Sequence, residues 1–189
     1  MRNTLLLLII FFTLFFSSNL YNITADEQGF LFWASYAHME RVKDYVYNKK
    51  VHINVQDNNG NTVLMRIASL KVITKENMQV AEFLIDMKAD LNVVNNDRHT
   101  ALVLAINNNN TEIAKLFVEK GAKLDIADRN GYTALMWAVE NNNAEMVKLL
   151  INKRANVFLK TKDGETAYSI AKTKGNSLII RMLEIAEAS

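Results

Sequence analysis

Apolar residues are distributed in two different patterns along this chain. From Leu5 to Phe16 the chain is apolar at every position except Thr13. In the rest of the chain apolar positions recur at spacings of three and four, as in Ile113, Leu116 and Phe117. Such spacing places apolar side chains on one face of an α-helix. The pattern therefore predicts an apolar N-terminal segment followed by a series of short amphipathic helices.

The N-terminal segment has the order of a secretory signal. Arg2 supplies a positive charge, the apolar run follows, and Ala25 is a small residue at its exit. The run is shorter than the roughly 20 residues that cross a bilayer as a helix. We therefore predict a signal peptide at residues 1–25, cleaved after Ala25, and export to the periplasm or the secreted space. The alternative is an uncleaved anchor whose apolar span is extended by Leu20 and Ile23.

The remainder of the chain is built from a repeated segment. Thr100, Thr133 and Thr166 are spaced 33 residues apart. Thr62 precedes Thr100 by 38 residues, which is five more than the period. We place the extra residues near Leu70–Lys75 and expect them to lengthen a loop between two helices. A period of this length is typical of a solenoid, in which each unit buries its apolar face only against its neighbours.

Particular residue types hold fixed places in this period. The clearest copy runs from Asp128 to Val157 and reads DRNGYTALMWAVENNNAEMVKLLINKRANV. Gly60, Gly131 and Gly164 each stand two residues before a repeated threonine, and Gly121 is followed by alanine near the end of another copy. These residues resemble the repeat of the ankyrin family, with its turn aspartate and glycine, its threonine, and its glycine–alanine pair.

The resemblance implies an all-α fold, an ankyrin-repeat solenoid of stacked helix pairs with short β-hairpin-like loops. We predict a single ankyrin-repeat domain over residues 26–189, with repeats at about 26–56, 57–94, 95–127, 128–160 and 161–189. The repeated threonines are suited to cap the first helix of each pair. Leu135 is expected in the core. Lys50, Lys88 and Arg154 stand where the family ends a helix with glycine, so each is expected to pay roughly 1 kcal/mol for left-handed backbone.

Composition removes several function classes. Lys and Arg number 22 against 20 Asp and Glu, and no basic cluster is visible, so we expect no nucleic-acid partner. The chain contains no cysteine, which excludes a disulfide framework and a thiolate metal site. The three histidines have no metal-ligand spacing. Ser169–Lys172 matches an S-x-x-K string, but the repeat register already explains it. We predict no catalytic residue, no metal and no cofactor.

The resemblance implies a protein-interaction module whose hairpin tips and first helices line a concave face. We expect a monomeric, non-enzymatic, exported protein that has no membrane association after signal removal, such as an immunity protein against a toxin or a support for a periplasmic enzyme, by analogy alone. The alternatives are a secreted effector acting on a host protein, a small-ligand binder or an enzyme. The implied partner-binding residues are Asn58, Asn59, Asn61, Arg98, His99, Arg129, Asn130, Tyr132, Trp137, Asn141, Lys162 and Glu165.

The signal-peptide hypothesis predicts that the mature protein begins near Asp26 and is recovered in solution. The reason is that the apolar run is too short to span a bilayer and ends at a small residue. N-terminal sequencing or the intact mass of the exported protein measures the start directly. Recovery of residues 1–25 still attached, in a membrane pellet, would instead indicate an anchor.

Overall fold

Five helix pairs make up the computed structural model, which describes residues 23–188. Most of the predicted signal peptide therefore lies outside the described residues. Within residues 23–188 every helix is too short or too polar to span a bilayer. The helices are α1 (Ala25–Ser35), α2 (Met39–Tyr47), α3 (Val63–Ala68), α4 (Lys75–Asp86), α5 (Ala101–Asn107), α6 (Thr111–Glu119), α7 (Ala134–Glu140), α8 (Ala144–Asn152), α9 (Ala167–Lys174) and α10 (Ser177–Glu187).

The repeated threonines begin the first helices of the last four pairs, as predicted. Thr62, Thr100 and Thr133 are buried, and each side-chain oxygen accepts a hydrogen bond from the backbone N–H three residues later, over 3.2–3.5 Å. Thr166 caps α9 in the same way, over 3.2 Å. Such a bond satisfies one of the donors that a helix start leaves unpaired. The threonine period therefore fixes where these four helices begin.

One apolar core runs through all five repeats because the first helices stack on one another. Leu102 and Leu135 are each 1% exposed, and the alanines that follow them, Ala105 and Ala138, are fully buried. The small alanine side chains let neighbouring helices approach closely, while leucine fills the space between them. The all-α solenoid is thus confirmed, and the described residues contain no strand.

Left-handed backbone occurs at the helix ends where the sequence predicts it. Lys50, Lys88 and Arg154 have φ values of 51°, 69° and 65°, and Gly121 in the matching place has 89°. Only glycine adopts this conformation without a steric penalty, which is on the order of 1 kcal/mol for other residues. At these three helix ends the native residue therefore makes the folded protein less stable than glycine would.

The five extra residues of the second repeat are only partly in a loop. The loop between α3 and α4 covers residues 69–74, against 108–110 in the next repeat, and α4 has 12 residues where α6 has 9. Thr74 and Asn77 cap each other's backbone N–H groups at the start of α4, which explains the longer helix. Ile73 packs against the core, whereas Val72 is 74% exposed.

The first helix begins earlier than the repeat period alone indicates. Thr24 and Glu27 form a reciprocal cap at the start of α1, with the Thr24 backbone N–H donating to Glu27 Oε2 over 2.8 Å. Asp26 lies in the first turn of this helix and accepts a hydrogen bond from Lys49 Nζ over 2.6 Å. The predicted cleavage after Ala25 would remove the Thr24 cap but leave the contact between Asp26 and Lys49.

The stacked core predicts a large loss of stability for Leu135→Ala. We expect the free energy of unfolding to fall by roughly 2–5 kcal/mol, because truncation of a buried leucine removes transfer free energy and leaves a cavity. Urea unfolding measures this change. The matched control is Leu178→Ala, since Leu178 is 56% exposed and its truncation should cost well under about 1 kcal/mol. Similar losses for both variants would contradict the described packing.

Candidate protein-binding surface

Four hairpin tips project from the first-helix side of the solenoid, at residues 57–61, 95–99, 128–132 and 161–165. Each tip closes in the same way, because the side chain of its first residue accepts a hydrogen bond from the backbone N–H of its fifth residue. The distances are 2.9 Å from Asp57 to Asn61 and 2.9 Å from Asp128 to Tyr132. Such bonds hold a turn in one conformation. The tips are therefore pre-organised surfaces.

Backbone hydrogen bonds join neighbouring tips into a continuous edge. The N–H of Asn96 donates to the carbonyl of Asn59 over 3.0 Å, and the N–H of Lys162 donates to the carbonyl of Asn130 over 2.9 Å. Between these two links, the Arg129 N–H donates to the Asp97 carbonyl over 3.3 Å. Side chains on successive tips consequently lie side by side in a row across four repeats.

Arg98 occupies a turn position that two neighbouring tips give to glycine. Gly60 and Gly131 have φ values of 77° and 86°, and a Cβ on either would lie within 3 Å of the next tip's backbone. Arg98 adopts the same left-handed conformation, with φ of 64°, while carrying an exposed side chain. The hydrogen bond that links its tip to the next, at 3.3 Å, is the longest of the three.

The carboxylate of Asp128 connects two repeats beneath the tips. Its Oδ1 accepts the backbone N–H groups of Asn130 and Tyr132 over 2.7 and 2.9 Å, and its Oδ2 accepts the indole N–H of Trp137 over 3.1 Å. His99 Nε2, from the preceding repeat, lies 3.4 Å from the same Oδ2. The Asp128 side chain is only 2% exposed, so these partners replace water around a buried charge.

Three rings cover this carboxylate and form a partly buried aromatic cluster. Tyr132 and Trp137 have ring centroids 5.1 Å apart, and His99 meets Trp137 edge-on with centroids 6.3 Å apart. Burial raises the pKa of the Tyr132 phenol, and the negative charge of Glu165 raises it further. The phenol is therefore protonated at neutral pH and remains available as a hydrogen-bond donor.

The comparison with known families agrees with this architecture. Three copies of the model for ankyrin repeats match residues 30–128, 70–161 and 121–187. The chain belongs to the ankyrin-repeat family. Ankyrin repeats are generally protein–protein interaction modules and typically have no enzymatic activity. No curated protein matched this chain.

The ankyrin tips present the predicted site residues to different degrees. Six of them are exposed: Asn58, Asn59, Arg98, Arg129, Asn130 and Lys162. The other six are half-buried: Asn61, His99, Tyr132, Trp137, Asn141 and Glu165. The side-chain N–H₂ of Asn141 donates to the carbonyls of Ile106 and Asn107 over 2.7 and 3.3 Å, so it closes the end of α5. This engagement makes Asn141 a structural residue as well as a surface one.

Sequence reasoning missed the residues that hold the position of Trp137 in other repeats. Arg66 and Leu104 hold the same place in their repeats, four residues after the capping threonine, and both are half-buried. Arg66 Nη1 lies 3.5 Å from Asp57 Oδ2, in the same relation that Trp137 has to Asp128. The signal available in the sequence was this fixed distance from the threonine.

A further contact between repeats that the sequence did not indicate is the ion pair of Lys174 with Glu140, which joins α9 to α7.

The position of Asp128 predicts that its truncation is more damaging than that of Asp57. Both residues accept two backbone N–H groups in their own tips, but only Asp128 also accepts an indole N–H in a buried site. We expect a loss of roughly 2–4 kcal/mol for Asp128→Ala, because several buried donors lose their acceptor. The matched Asp57→Ala should cost roughly 1–2 kcal/mol.

Urea unfolding followed by circular dichroism measures both variants. The Asp128→Ala variant should also change the Trp137 fluorescence, since the indole loses its hydrogen bond. Equal losses of stability in the two variants would contradict a linking role for Asp128.

Proposed function

We propose that this ankyrin-repeat protein is an exported, non-enzymatic module that binds one partner protein along its hairpin tips and inner helix face. The observation that carries this proposal is the hydrogen-bonded edge, which aligns exposed side chains from four consecutive tips. Rigid, pre-closed turns support binding because less conformational entropy is lost when a partner docks.

The chemistry of the central tips favours a partner with an acidic surface. Arg98, Arg129 and Lys162 are exposed on three consecutive tips, and Tyr132 is half-buried on the middle one of these. Arginine and tyrosine are over-represented among residues that dominate binding energy. Arg129 Nε is 4.0 Å from Asp97 Oδ1, with both side chains more than 60% exposed, so this ion pair is weak and leaves the arginine available.

The proposed export depends on the N-terminal sequence, with its charged start and apolar run ending at Ala25. A module of this kind in the periplasm or secreted space would guard or assist another exported protein, either as an immunity protein or as a support for an enzyme. A secreted effector that acts on a host protein is the second candidate, and the same tips would serve it.

A small-ligand function has one feature in its favour. A groove of about 620 Å³ lies between the second-helix ends of two repeats, and Asp86, Lys88, Asp90 and Lys120 are among its lining residues. Lys120 Nζ donates a hydrogen bond to Asp86 Oδ1 over 3.0 Å, so these two charges are already paired with each other. The tips therefore remain the better supported binding surface.

Charge reversal at two tips tests the proposed surface. Once a partner has been isolated by affinity purification from the exported fraction, Arg98→Glu with Arg129→Glu should weaken binding by at least about 2 kcal/mol. The affinity of the unsubstituted protein should also fall as salt concentration rises, because exposed charges are screened. Titration calorimetry measures the affinity, and a thermal melt of the same sample reports its stability.

The matched control is Lys148→Glu with Lys153→Glu, which reverses one exposed charge on α8 and one at the residue that follows it. This control should leave the affinity nearly unchanged. A further variant, Arg98→Gly, should relieve the left-handed strain and raise stability by about 1 kcal/mol while still losing affinity. Unchanged affinity in both tip variants would exclude these tips from the interface.

A further inference from the structure

Two of the four hairpin tips contain an asparagine followed directly by glycine. These are Asn59-Gly60 and Asn130-Gly131, and the sequence contains no other such pair. Both asparagines are exposed. Within residues 23–188 their backbone groups take part in the tip hydrogen bonds, whereas neither side-chain amide has a hydrogen-bond partner. Each of these asparagines is exposed, has an unpaired side-chain amide and is followed by a residue without a side chain. These are the features of a site at which the chain can react with itself without an enzyme.

We propose that Asn130 and Asn59 are sites of spontaneous deamidation in the folded protein. The backbone nitrogen of the following glycine loses its proton and attacks Cγ of the asparagine. A new N–Cγ bond forms, and the side-chain nitrogen leaves as ammonia, which gives a five-membered succinimide. Water then opens this ring at either carbonyl, to aspartate or to isoaspartate. The reaction consumes one water molecule and requires no enzyme, oxidant or reductant.

The hydrogen bond made by the attacking nitrogen ranks the two sites. The N–H of Gly60 donates to the Asp57 carbonyl over 2.8 Å, whereas the N–H of Gly131 donates to the Asp128 carbonyl over 3.2 Å. A nitrogen must leave this bond and lose its proton before it attacks, and the longer bond is the weaker one. Asn130 therefore reacts faster than Asn59.

Deamidation at Asn130 changes the proposed binding surface, and this consequence rests on the proposed function. It places a negative charge directly beside Arg129, where an acidic partner would otherwise meet a cation. The isoaspartate product also adds one atom to the backbone at the residue whose carbonyl accepts the Lys162 N–H over 2.9 Å. The link between two tips is thereby disturbed, so the surface loses affinity for its partner as the protein ages.

The test is to incubate the folded protein in mildly alkaline buffer prepared with heavy-oxygen water. Peptide mapping by mass spectrometry then follows conversion and oxygen incorporation at each asparagine. We expect conversion at Asn130 severalfold faster than at Asn59, and nearly equal rates at the two sites in a urea-unfolded sample. Asn58 is the internal control, because it is an exposed tip residue whose side-chain amide also lacks a hydrogen-bond partner within residues 23–188 but is followed by Asn59 rather than by glycine, and it should remain unconverted.

Two variants complete the design. Asn130→Gln and Asn59→Gln should each abolish conversion at their own site while retaining the thermal melt of the unsubstituted protein. Absence of conversion at both sites in the folded protein, over a period in which the unfolded sample converts, would overturn the proposal. Faster conversion at Asn59 would overturn the ranking. Because the measurement needs no partner, its failure is distinguishable from a failure of the proposed function.

The effect on binding is measured separately, by comparing fresh and aged protein against the isolated partner. Aged protein should bind more weakly, and aged Asn130→Gln should keep the affinity of fresh Asn130→Gln. Full conversion without any loss of affinity would overturn the regulatory consequence.

Discussion

The structure depends on one constraint, which is that no helix pair can bury its apolar face alone. Leu102 and Leu135 are almost completely buried only because a neighbouring repeat covers each of them. The stacking distance and register must therefore be the same at each junction. The 33-residue period is the sequence expression of that requirement. It also brings equivalent surface residues of successive repeats next to one another, which is how the tips form a row.

Two ladders of hydrogen bonds hold the register of the stacked repeats. The tip ladder runs through backbone groups. A second ladder uses side-chain oxygens, in which Asn54, Asn92 and Asp125 each accept a backbone N–H from the next repeat over 2.8–2.9 Å. Phe158 occupies the following place, has no oxygen to offer and is 63% exposed. The last contact of this side-chain ladder therefore joins the third repeat to the fourth.

The sequence was sufficient to predict features that recur with the period. The caps at Thr62 and Thr133, the buried Leu135 and the left-handed Lys88 each followed from one repeat compared with another. The start of α4 could not be found in that way, because it depends on a reciprocal cap between Thr74 and Asn77 that the other second helices of residues 23–188 lack. Because the five-residue insertion occurs in one repeat only, comparison with the other repeats does not show how the chain divides the extra residues between loop and helix.

The buried link at Asp128 was unpredictable for a different reason. Its carboxylate makes contacts in its own tip that a turn aspartate implies, and the indole of Trp137 reaches it from the same repeat, but the imidazole of His99 approaches it from the preceding repeat. The distance from His99 to Asp128 depends on how far one repeat rotates relative to the next, and the spacing of residues along the chain does not specify that rotation. Candidate surface residues could be named from the sequence, whereas the charges that organise them could not.

The tips differ in chemistry along the solenoid, and this difference locates the proposed binding centre. The first tip is uncharged on its exposed part, with Asn58 and Asn59, whereas the central tips expose Arg98 and Arg129 together with Asp97, and Tyr132 is half-buried on the second of them. Arginine and tyrosine are over-represented among the residues that dominate binding energy. Arg98 also retains a backbone penalty that glycine would remove. A side chain kept at that cost, at the centre of the row, supports placing the partner's main contact at the third and fourth repeats.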